Sequence, residues 1–109
     1  MEYRRFHDTI IARFDRGEEI VSQVRKIADA EQIKLASIQA LGAINDFNIG
    51  LYDVKEKEYH GNHFTGAYEI VSLIGTITTK EGEFYAHLHM SAGDVNSNVV
   101  GGHLVDANR

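Results

Sequence analysis

The chain predicts an α+β fold, with one main helix packed on a mostly antiparallel (mixed), twisted sheet of five to seven strands. Three observations carry that expectation. Apolar residues recur at helical spacing only once, near the N-terminus. From residue 35 onward the pattern has a period of two and is punctuated by glycines. Strands do not alternate with helices, which argues against a doubly wound parallel sheet.

Taken in order, residues 9–14 read as a strand, and Asp15-Arg16-Gly17 as a turn. Residues 18–33 read as the helix. Glu18 and Glu19 sit where a first turn favours negative charge. Ile20, Val24, Ile27 and Ala28 form its apolar stripe, and Ser22, Lys26, Asp29 and Gln32 its wet side. Residues 35–44 and 47–54 read as two strands, and Lys55-Glu56-Lys57-Glu58 as an exposed strand or hairpin. His60-Gly61-Asn62 looks like a turn. Residues 68–79 form the strongest strand, and both of its side-chain rows are largely apolar, so cover on both faces is expected. A hairpin loop at residues 80–83, a strand over 84–90, a turn at Gly93-Asp94 and a strand over 99–105 complete the series. Asp106 to Arg109 then leave that strand with an open edge, a partner strand from another chain, or a missing continuation.

The 109 residues are expected to form a single domain, 1–109. A 43% apolar fraction excludes a disordered chain. The lack of cysteine excludes a disulfide framework, a thiolate nucleophile and any cysteine-based metal cluster. No apolar run approaches the roughly 18 residues of a membrane helix, so the expected location is the cytoplasm, without a membrane partner. Eleven basic against 16 acidic side chains give a net charge of -5, which argues against a broad phosphate-binding surface. A small core without staples favours self-association.

The segment Ala86-His87-Leu88-His89-Met90-Ser91 is the most informative. In a strand His87 and His89 share one face about 6–7 Å apart, while Leu88 and Met90 take the other. The turn near Gly93-Asp94 folds the next strand back and brings His103 alongside. If paired positions sum to 190, His103 lies across from His87, and a one-residue slip would send it to the opposite face. Neutral imidazoles suit zinc, nickel or ferrous iron, and three of them leave a coordination position for water or substrate. The plainer alternative is a pair of histidines hydrogen-bonded in a polar rim. Gly101 and Gly102 allow close backbone approach beside the site. Glu69, in an otherwise apolar row, must be paired, liganded or at the strand's exposed end, and Arg13 is a candidate counter-charge for this outer layer of the pocket. His60 and His63 read as surface residues, and His7 has no visible partner.

These segments together resemble the plant- and prokaryote-conserved domain family, abbreviated PPC or PCC. The core strand Tyr68-Glu69-Ile70-Val71-Ser72-Leu73-Ile74-Gly75-Thr76-Ile77, the run His87-Leu88-His89-Met90-Ser91 and the closing Val100-Gly101-Gly102-His103-Leu104 carry the resemblance. Asp15-Arg16-Gly17-Glu18-Glu19-Ile20 and Ala40-Leu41-Gly42-Ala43-Ile44 extend it along the chain. It implies a compact homotrimer, and a shared metal or ligand cluster at His87, His89 and His103 near a subunit boundary. It also implies that a further strand follows the Gly-Gly-His-Leu motif in the family, so that this chain is truncated at its C-terminus by comparison. Family members are described as DNA-binding, for which Arg4, Arg5 and Arg16 are the local candidates here. Plant members reach DNA through an AT-hook, which this proline-free chain lacks. The leading expectation is a homotrimeric binding and regulatory module holding a divalent metal, zinc by its ligands. DNA binding comes second, and an enzyme using a water bound to three histidines comes third. No P-loop, GxGxxG or HExxH motif supports an enzyme.

Overall fold

Six strands and one helix make up the computed structural model, which describes all residues 1–109. The strands are β1 (Glu2–Phe6), β2 (Thr9–Arg13), β3 (Ala36–Asp53), β4 (Glu58–Lys80), β5 (Glu83–Gly93) and β6 (Val99–Asn108), and the helix is α1 (Ile20–Ala30). Every strand pairing is antiparallel. β1 and β2 form a separate hairpin, while β3, β4, β5 and β6 close into a barrel.

The open edge, one of three alternatives for the chain after residue 105, is not what the structure shows. β6 continues to Asn108 and pairs with Asp46–Gly50 of β3 on its far side. Tight backbone approach makes this possible. A β-carbon at Gly102 would stand 2.7 Å from the Gly50 carbonyl oxygen, so a larger residue would push the seam apart. The first half of β3 is paired with β4 alone, and it faces β2 across a groove of about 1300 Å³.

The helix is shorter than its apolar stripe suggested. Glu19 is the cap rather than a helical residue: its carboxylate accepts from the backbone N–H of Val21 at 2.8 Å and of Ser22 at 2.7 Å. The same carboxylate accepts from Ala107 N at 2.9 Å, which ties the helix start to β6. Gln32 takes a left-handed φ of 54° just beyond the other end. Ile20, Val24, Ile27 and Ala28 are buried, and Ser22, Lys26, Asp29 and Gln32 are exposed.

The two strands expected over 35–44 and 47–54 are one strand, β3, broken only by register shifts at Ala40/Gly42 and Ile44/Asp46. His60-Gly61-Asn62 is not a turn; it lies in β4 opposite Leu51, Gly50 and Ile49. The turn falls over residues 54–57, where the Asp53 carboxylate accepts from the N–H groups of Lys55 and Glu56, both at 3.0 Å.

The interior is built from one row of each barrel strand. Phe47, Leu73 and Leu88 are the largest fully buried side chains, joined by Ile44, Ile49, Ile70, Ile77, Met90 and Leu104. Phe47 stacks on Phe64 with centroids 5.3 Å apart and meets Tyr68 edge-on at 5.0 Å. The strongest predicted strand is covered on one face only. A register irregularity between Ile70 and Ser72 places Val71 as an extra residue, so Ile70, Leu73 and Ile77 point inward while Val71 and Ile74 remain exposed.

Candidate metal centre

Strand alternation sends Leu88 and Met90 of β5 into the core and His87 and His89 outward. The β5–β6 hairpin then supplies the third imidazole. His103 is paired with His89, not with His87 as the expected register had it. Paired positions sum to 192 rather than 190. A shift of two preserves the face, so the grouping stands although the partner differs.

The three ring centroids are 5.1, 5.4 and 5.6 Å apart, and one nitrogen from each ring lies within 4.8 Å of the other two. His87 Nε2 and His89 Nε2 are 3.2 Å apart. Two nitrogens bound at zinc–nitrogen distances in a tetrahedral site would stand about 3.3 Å apart. The His87–His89 pair already stands at that separation, and the His103 nitrogen lies within 4.8 Å of both, so the donor set could hold a divalent metal. His87 and His89 are exposed and His103 is half-buried. Burial, reinforced by the neighbouring His87 and His89, pushes the pKa of His103 below its usual 6.5. That keeps its nitrogen unprotonated near neutral pH, which is the form a metal requires.

The surrounding face is mixed. Ile74 is opposite His89 and Thr76 is opposite His87 on β4. Tyr85, two residues before His87, has its ring centroid 6.4 Å from that imidazole. The period-two rule that linked His87 to His89 also reaches Tyr85, but a single aromatic on a strand gave no chemical reason to include it. Gly75 lies opposite Leu88, and a β-carbon there would collide with the His87 carbonyl oxygen. The glycine lets β4 pass close beneath the histidine strand.

The structure does not bring Glu69 to the histidines. The extra residue in β4 turns Glu69 outward, opposite Gly93. There it lines a cavity of about 510 Å³ with Arg16, Asn45, Asp94 and Arg109. Arg13 is exposed on β2, 3.5 Å from Glu2 and 3.8 Å from Asp15. It does line the long groove that reaches His87 and His89. Gly101 and Gly102 stand opposite Ser91 and Met90, beside His103, and serve strand packing. Of the candidate DNA contacts, Arg5 pairs with Glu31 at 3.3 Å, whereas Arg4 and Arg16 are exposed. Arg25 is 3.8 Å from Asp29 and lies over the Phe84 ring. His63 lies at the surface as expected, 2.6 Å from Asp46.

The chain is thus a small α+β domain, a four-stranded closed barrel with one helix and an outward histidine cluster. Residues 1–109 match the model of the Plants and Prokaryotes Conserved (PCC) domain, and the chain belongs to that family. Among solved structures it is similar to a candidate DNA-binding protein from Bacteroides thetaiotaomicron, with 27% identity and a TM-score of 0.95 over 99% of this chain and 76% of that one. A metal-containing protein from Archaeoglobus fulgidus has 33% identity and a TM-score of 0.83, over 88% of this chain and 68% of that one. A plant- and prokaryote-conserved protein from Pyrococcus horikoshii has 35% identity and a TM-score of 0.83, over 87% of this chain and 66% of that one. No curated protein sequence matches the chain. Neither the family description nor these names assign an enzymatic activity. No helix is long and apolar enough to cross a membrane.

Proposed function

We propose that the chain acts as a homotrimeric binding and regulatory module that holds a divalent metal, zinc, through His87, His89 and His103. The carrying observation is the convergence of three imidazole nitrogens within 4.8 Å on one exposed sheet face. Three protein ligands leave a coordination position for water or a small ligand. The relative from Archaeoglobus fulgidus, described as metal-containing, supports the same reading. Self-association is supported by exposed Leu41, Val71 and Val99 at one end of the outer face. Val71 and Val99 both lie beside Gly93 there.

Metal analysis of untagged protein tests the site. One zinc per chain, lost when His87 and His89 are replaced by alanine, is the expected result. Substoichiometric metal that is indifferent to those replacements removes the reading. Sedimentation of the same samples tests the trimer.

DNA binding is the second reading, favoured by the description of the Bacteroides relative. Arg5, Arg13 and Arg25 are each engaged by a carboxylate, which leaves Arg4, Arg16 and Lys26 as the local cations. Titration against duplex DNA at low salt decides it, because phosphate contacts only weaken as salt rises.

A further inference from the structure

One hydrogen-bonded row runs across the barrel through the metal site: Ile74 of β4, His89 of β5, His103 of β6, Gly50 of β3 and Gly61 of β4 again. Residues paired in this way point to the same face of a sheet. The row therefore continues the histidine face across two positions that carry no side chain. Tyr59, two residues before Gly61, fills them. A β-carbon at Gly61 would stand 3.2 Å from Tyr59 Cε2, and one at Gly50 would overlap Tyr59 Oη. The ring thus crosses Gly61 and ends with its hydroxyl over Gly50, the residue directly paired with His103. One interstrand spacing of about 5 Å separates that position from the His103 backbone. Tyr59 as a whole remains 44% exposed.

We infer that Tyr59 is a ligand-binding residue of the metal centre, and that the ligand it selects is a small monocarboxylate. This rests on the reading of His87, His89 and His103 as metal ligands. One carboxylate oxygen takes the open coordination position, and the other accepts a hydrogen bond from Tyr59 Oη. The donor count fits: a carboxylate offers one oxygen to the metal and a second to the hydroxyl, whereas a bound water has a single oxygen. The charge also fits. Three neutral imidazoles leave the metal's charge uncompensated, and a single hydroxyl donor suits a monoanion better than a phosphate dianion. On the opposite side of the site Ile74, 59% exposed, offers an apolar contact for the carbon end of such a ligand.

Cobalt-loaded protein provides the test, since its visible spectrum reports ligands entering the open position. Titration with acetate is compared for the wild type, Tyr59→Phe and Tyr59→Leu, with inorganic phosphate as the competing anion. The expected result is an acetate affinity about tenfold weaker in Tyr59→Phe, the loss of one charge-assisted hydrogen bond. The phenylalanine ring keeps the cover over Gly50 and Gly61, so cobalt loading and the spectrum without acetate stay as in the wild type. Tyr59→Leu weakens acetate at least as much. Unchanged acetate affinity in Tyr59→Phe overturns the role of Tyr59 while leaving the metal site standing. Tighter binding of phosphate than of acetate overturns the assigned ligand class. Failure of cobalt to load the wild type overturns the metal reading and this inference together.

Discussion

The two faces of β5 are one residue apart along the chain and obey different rules. Inward, Leu88 and Met90 join a cluster of 14 buried apolar residues contributed by α1 and every barrel strand. Outward, His87 and His89 have meaning only with His103, which arrives from β6. Hydrophobic burial is non-directional, so the inner face tolerates changes that preserve volume and pattern. A metal centre is directional, so metal binding on the outer face would depend on three nitrogens placed to within a fraction of an ångström. Stability and function are therefore separable on this strand, and mutations can test how far.

The largest expected effect is on the inner face. Phe47→Ala leaves a cavity beside Phe64 and Tyr68 and should cost about 3–5 kcal/mol, read by urea unfolding. Zinc affinity of the protein that remains folded should be unchanged. A parallel loss of zinc would break the separation. Next comes His89→Ala, which should weaken zinc binding by at least about 100-fold, close to 2.7 kcal/mol, in competition with a chelating dye. The metal-free variant should unfold within about 0.5 kcal/mol of metal-free wild type, since the side chain is exposed.

Gly75→Ala should cost about 1–3 kcal/mol, and it sharpens the comparison by failing to respect it. Its β-carbon would meet the His87 carbonyl oxygen and lie 2.7 Å from Leu88 Cα, so both faces of β5 move together. Zinc affinity and unfolding midpoint should fall in the same variant. If either stays at the wild-type value, the strand is more pliable than the backbone contact implies.

The smallest effect lies far from both faces. The Met1 ammonium stands 2.7 Å from Asp15 and 2.9 Å from Glu18. Hydrogen bonds that the amine donates to Asp15, then to Glu18, hold it above its usual 8.0. The hydrogen bond to the Met1 ammonium lowers Asp15, and the Asp15 backbone N–H followed by the ammonium lowers Glu18. The carboxylates contribute stability that is present above their unfolded values near 4 and lost as pH falls through the lowered ones. The amine contributes stability that is present below 8.0 and lost as pH rises through its raised value. Thermal unfolding across pH should thus show a modest plateau with decline on both sides. In Asp15→Asn the decline at both ends should be shallower, with zinc affinity unaltered.

Much of this was legible in the sequence wherever neighbouring residues decide the outcome. His87 and His89 share a face because strand geometry leaves no alternative. The apolar stripe of α1 marked its buried face, although the caps at Glu19 and Gln32 trimmed its length. Elsewhere the pattern misled. Asn45-Asp46 looked like a break in the chain and proved to be an irregularity inside β3. His60-Gly61-Asn62 looked like a turn because glycine has two uses. Here Gly61 accommodates the Tyr59 ring rather than a bend. Glu69 seemed to share a row with Leu73 and Ile77, but the extra residue at Val71 shifted that row by one.

The order of residues by itself determined the helix and the strand character of β5, the inward row of β5 and the pairing of two histidines on the opposite row. Each of these follows from the 3.6 or 2.0 periodicity of a single segment. Only the tertiary structure decided that β6 closes on β3, that His103 faces His89, and that Tyr59 ends over Gly50. Those outcomes depend on register between strands far apart in the chain. Register is set by the simultaneous fit of every inward side chain into one shared core, a sum that no single segment contains.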